Sequence, residues 1–128
     1  MTITKMLRNA MSDNTQTSRV YLSSSTKMWK VGETAQRVSQ RMSELRKTDK
    51  DIKWVIYFEF NGNKNLRLVI ESMLKMVLVN NEYENVGNDH FTPKGEFEKF
   101  EQCFVETVTT ILTDLKIGYT IRYNEKMG

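Results

Sequence analysis

The chain has one cysteine, one histidine and one proline among its 128 residues. The single cysteine, Cys103, permits no intrachain disulfide, which predicts a reducing, intracellular setting. His90 is the sole imidazole, and no motif joins it to Cys103. Neither a cysteine–histidine nucleophile nor a cysteine–histidine metal cage has support, so Cys103 reads as a small hydrophobe on a helix. No run approaches the ~18 apolar residues that a membrane span requires. Met1 to Ser18 is polar and lacks the apolar stretch of a signal peptide. The expectation is a cytoplasmic protein without a membrane. No Gly-rich phosphate loop, internal repeat or low-complexity block occurs either, so a small-molecule pocket has no motif behind it.

The residues that are present suit one domain. Hydrophobic residues make up 39%, enough for a single core, and charged residues make up 27%. The net charge of +3, with a pI near 9.0, permits a phosphate-rich partner without demanding one.

Residues 1–17 read as a polar arm or a short docking helix. Ile3, Met6, Leu7, Ala10 and Met11 share one helical face, and Ser12 onward resembles a linker. The domain proper is expected over 18–128. Val20-Tyr21-Leu22 is a short strand, and Met28 to Val31 is a second that ends at Gly32. Val38, Met42 and Leu45 then recur at helical spacing, with Thr34 as the expected cap. Arg37 and Arg41 fall on one face of that helix. The β-branched and aromatic run of Asp51 to Phe60 predicts a central strand buried on both faces. Leu66, Ile70, Met73, Leu74 and Val77 mark a second helix, closed by Asn80-Asn81. A loop is expected from Glu82 to Phe91. Thr92-Pro93 should open a third helix, striped by Phe97, Phe100, Phe104, Val108, Ile111 and Leu115. After Gly118, Tyr119 to Tyr123 alternates like an edge strand. The predicted class is α/β (α+β): a small mixed three-stranded sheet flanked by helices, in the order ββαβαα, with an extra C-terminal strand.

Four features fall in a telling order. Tyr21 is on the first strand, and Lys30-Val31-Gly32 closes the second. Arg41-Met42-Ser43-Glu44-Leu45 leads the first helix with an arginine. Glu71 interrupts the apolar run Leu68-Val69-Ile70-Glu71-Ser72-Met73-Leu74. This order resembles the GIY-YIG nuclease superfamily. Trp29-Lys30-Val31-Gly32 is similar to its phage and large-DNA-virus branch, where Tyr-Lys-Ile-Gly forms the second motif. Asp89-His90-Phe91, with Gly95, is similar to that branch's closing Glu-Trp-Phe motif. The resemblance spans Arg19 to about Phe100.

The resemblance implies a magnesium-dependent DNA endonuclease that hydrolyses phosphodiester bonds. Glu71 would hold the magnesium, which stabilises charge and orients the phosphate. Arg41 would stabilise the transition state through forked hydrogen bonds. Tyr21 would orient or activate the attacking water. Lys30 stands where the best-known members have a tyrosine, and would act on the proton or contact phosphate. His90 would be a further acid or base, and Arg37 would join Lys30 and Arg41 in holding DNA.

Each of these residues also has an ordinary reading. Tyr21 fits a strand tyrosine with a wet hydroxyl. Lys30 fits a solvent-facing neighbour of a core tryptophan. Arg41 fits a surface partner of Glu44 or Glu33. Glu71 fits the rim of a core face, and His90 fits a loop. The rival function is therefore a non-catalytic viral protein of the same fold that binds and inhibits a host protein or nucleoprotein complex. Its place would be the host cytoplasm. The C-terminal strand offers a further role, self-association with another copy.

Overall fold

The computed structural model describes residues 16–87 and 89–124. The helical face expected at Ile3 to Met11 lies outside the described residues. Within them the order is β1 (Thr17–Ser24), β2 (Trp29–Thr34), α1 (Val38–Leu45), β3 (Lys53–Asn61) and α2 (Lys64–Asn80). Then follow β4 (Asn85–Val86), β5 (His90–Phe91), α3 (Phe97–Asp114) and β6 (Tyr119–Tyr123). No helix among the described residues is long and apolar enough to cross a membrane.

The fold is α+β, but its sheet is larger than the sequence predicts. Among the described residues it has six strands in the order β4-β5-β2-β1-β3-β6, and every neighbouring pair is antiparallel. The expected mixed, three-stranded sheet is thereby corrected. The additions are β4 and β5, two residues each, in the stretch expected to be a loop. Such short strands carry no period of their own. They exist because β5 pairs with β2, Trp29 opposite Phe91 and Lys30 opposite His90.

Pairing also corrects which strand is central. Val20, Tyr21, Leu22 and Ser23 of β1 are all buried, so β1 is covered on both faces. In β3 the buried residues are the alternate ones Ile56, Phe58 and Phe60, and one face is only partly covered. β2 runs on through Gly32 to Thr34 instead of stopping at the glycine. β6 is the edge strand expected beside β3.

Strand alternation sorts the side chains into two layers. Val20, Leu22, Trp29, Val31, Ile56, Phe58 and Phe60 face α2 and α3 and form the main core with Leu66, Ile70, Leu74, Phe100, Phe104 and Val108. The other face is smaller. There Tyr21 packs with Val38 and Met42 of α1 and with Ile52.

Two helix starts differ from expectation. α1 begins after Arg37, and no side chain caps it. Thr34 is instead the end of β2, where its hydroxyl accepts from the Gln36 N–H at 3.0 Å and turns the chain. α3 begins at Phe97 after Glu96, so Thr92-Pro93 belongs to the preceding loop. The Thr92 N–H is spent on the Glu84 carbonyl, which ties it to the β4–β5 hairpin. α2 has a conventional start, with the Asn63 side chain accepting from Leu66 N–H at 2.9 Å.

Candidate functional site

Tyr21 is the centre of the site, and Gly32 is the reason it sits as it does. The two residues are cross-strand partners. A Cβ at position 32 would overlap the end of the Tyr21 ring, so the bare backbone lets the phenol lie across β2. The residue is 1% exposed. Its hydroxyl meets the Arg41 guanidinium, delivered from one turn inside α1. Burial raises the Tyr21 pKa to about 12, although Arg41 pulls it down, so the phenol stays protonated near neutral pH. Arg41 is in turn held by Glu44 at 2.8 Å, the partner expected three residues along the helix. Burial opposes its charge, but Glu44 and Tyr21 outweigh that and hold it above the ordinary arginine value.

Lys30 projects from the same face as Tyr21. Its cross-strand neighbour on β1 is the small Ser23, and on the other side is His90. Its side chain is 5% exposed, and its ammonium pairs with Asp89 Oδ2 at 2.6 Å. The solvent-facing lysine of the ordinary reading is therefore ruled out. His90 Nε2 lies 3.4 Å from Lys30 Nζ and 3.4 Å from Asp89 Oδ1. The imidazole is the more open of the three, with 38% of its side chain exposed. The backbone secures the group, because Val31 N–H donates to the Asp89 carbonyl at 3.1 Å.

Glu71 approaches from α2, on the opposite side of the sheet. Its side chain is 14% exposed, and its carboxylate faces Lys75 at 3.4 Å. Burial raises its pKa; Lys75 opposes this, and the negative charges of Asp89 and Glu33 add to it. The same Asp89 and Glu71 charges also act on the Tyr21 hydroxyl. Residues from both faces thus share one electrostatic neighbourhood. The sheet allows it at the edge of β2. β5 pairs with β2 only at Trp29 and Lys30, so from Gly32 onward β2 is flanked by β1 alone among the described strands.

The expected site residues therefore divide. Tyr21 and Arg41 are in contact, Lys30 and His90 are joined through Asp89, and Glu71 is coupled to both groups by charge. Arg37 stands apart. It lines a separate hollow of about 290 Å³ with Arg19, Trp54, Tyr57 and Glu59.

Two participants carried no role in the sequence. Asp89 was legible only through its place beside His90, and its partner Lys30 is 59 residues away. Arg67, in the first turn of α2, is buried and donates to Glu33 at 2.6 Å, Gln16 at 2.8 Å and Ser18 at 2.9 Å. Glu33 is thereby committed to Arg67 rather than to Arg41. The one available signal was the spacing of Arg67 and Glu71, one helical turn apart in an apolar run.

Magnesium fits this donor set in a limited way. No three His, Cys, Asp or Glu among the described residues form a cage. Magnesium needs none, since it binds one or two carboxylates and keeps several waters. Glu71, pressed by burial and by two neighbouring carboxylates, is a group whose charge a divalent cation would relieve. Comparison with protein-family models, with curated proteins and with solved structures returned no match.

Proposed function

We propose that the β2 edge binds a phosphodiester of DNA and that the chain is a GIY-YIG-like, magnesium-dependent endonuclease. The observation behind this reading is the Tyr21 phenol crossing Gly32 onto Arg41, with the Glu71 carboxylate in the same electrostatic neighbourhood. A phosphodiester needs forked donors, a positive field and a place for a proton. Arg41 has donors to spare beyond Glu44 and Tyr21 and is a third exposed, so it meets the phosphate. Tyr21 is buried and protonated, so it fixes the guanidinium rather than acting as base. His90 is the open group that exchanges a proton, with Asp89 and Lys30 orienting it. Magnesium, held by Glu71, would supply Lewis-acid stabilisation of the phosphoryl oxygens.

Purified protein with magnesium should nick supercoiled plasmid, and Glu71→Ala should abolish nicking. Nicking that survives this change removes the assignment of Glu71.

One observation favours a second reading. Lys30 is closed in an ion pair with Asp89 and Tyr21 is sealed from solvent, as in a site that no longer turns over. The chain would then be a non-catalytic member of the same fold that binds a host protein. Absence of both nicking and low-salt DNA binding would select this reading.

A further inference from the structure

Asp49 lies between α1 and β3 and is 5% exposed, yet neither carboxylate oxygen has a hydrogen-bond partner. The other buried polar side chains among the described residues are all satisfied. Ser18 donates to Gly62, Ser23 to the Lys30 carbonyl and Lys30 to Asp89, Thr34 accepts from Gln36, and Arg67 donates to three partners. Three cations lie close to Asp49 in sequence and none neutralises it. Lys47 and Lys50 are exposed, and Arg46 donates to the Ile52 carbonyl at 3.1 Å.

The Asp49 carboxylate instead faces a second acid. The Asp51 carboxylate lies against it and, as an acceptor itself, gives it no donor. Thr26, in the β1–β2 turn, gives its N–H to Asp51 Oδ2 at 2.9 Å, and its hydroxyl bonds the same carboxylate. Two loops therefore bring two carboxylates and a hydroxyl together. A buried carboxylate left without a donor is costly, and a second carboxylate beside it worsens the cost. A cation between them removes it.

The geometry points to a calcium-type divalent cation site made by the Asp49 and Asp51 carboxylates with the Thr26 hydroxyl. The donors are all oxygen, and His90 and Cys103 sit elsewhere on β5 and α3, so a hard ion is selected over zinc or copper. Asp51 is exposed, which leaves room for the waters that complete an irregular calcium shell. The ion would pin the β1–β2 turn to the end of the helix that carries Arg41.

The test is thermal unfolding of the full chain with and without millimolar calcium chloride. Calcium should raise Tm by roughly 5 °C or more, as expected for a ligand well above its Kd. The shift should persist in Glu71→Gln and vanish in Asp49→Asn. Without calcium, Asp49→Asn should melt no lower than the wild type, because it removes an uncompensated charge. No shift in the wild type overturns the proposal. So does a shift that survives Asp49→Asn, or one lost in Glu71→Gln, which would place the ion at Glu71.

Discussion

The two faces of the sheet are built on opposite terms. The face under α2 and α3 buries a continuous core from Val20 to Leu112, which includes Phe100 and Phe104. The Phe58 and Phe104 rings meet at 5.8 Å, and the Phe91 and Phe100 rings at 5.4 Å. The face under α1 buries only Tyr21, Val38, Met42 and Ile52 as apolar residues. Leu45, Trp54 and Tyr57, only partly buried, pack against these, and the charged Lys30, Arg41, Asp89 and His90 gather beside Tyr21 at β2. The large face stabilises the fold, which lets the small face keep costly groups such as a buried lysine and a sealed phenol in fixed positions.

That contrast makes separable predictions. Phe104→Ala, on the large face, should cost about 3–5 kcal/mol in denaturant unfolding, because a fully buried ring leaves a cavity. A cost under about 1 kcal/mol would mean that the main core does not carry the stability. Gly32→Ala, on the small face, should cost about 1–3 kcal/mol by forcing a Cβ against the Tyr21 ring. Tyr21→Leu should make the alanine at 32 cheaper than it is alone, which a double-mutant cycle would read as coupling. Additivity would show that the two residues do not meet.

Glu71 gives a smaller, pH-dependent effect. Its folded-state pKa is raised, by burial first and then by Asp89 and Glu33 against the pull of Lys75. The protonated form is therefore favoured by folding. That stabilisation is full at low pH and is lost as pH rises through the folded pKa. Glu71→Gln should then gain in stability relative to wild type near pH 7 and lose the gain near pH 3. A gain that does not change with pH would separate Glu71 from this account. The smallest effect belongs to Glu44→Ala, which opens a partly exposed pair with Arg41 and should cost less than about 1 kcal/mol.

Much of the large face was legible because its signal is periodic. The Phe97 to Leu115 stripe gave α3, and the alternation of Tyr119 to Tyr123 gave the β6 edge. Tyr21, Arg41 and Glu71 stood out as a candidate site only through an order of motifs that resembles a known family's. What stayed hidden depends on distant partners. β5 exists through two pairings with β2, and Lys30 is buried because Asp89 and His90 return to it. Thr92-Pro93 has the composition of a helix start, but the β4–β5 hairpin claims the Thr92 N–H and delays α3 to Phe97. No local window contains these contacts.

The central claim is that the β2 edge receives a phosphate through Arg41. Its most direct test is the affinity of the full chain for duplex DNA across a salt series, compared with Arg41→Gln. The wild type should bind most tightly at low salt, and the variant should bind more weakly with a shallower salt dependence, by about one phosphate contact. Equal affinity and equal slope in the two proteins would contradict the account.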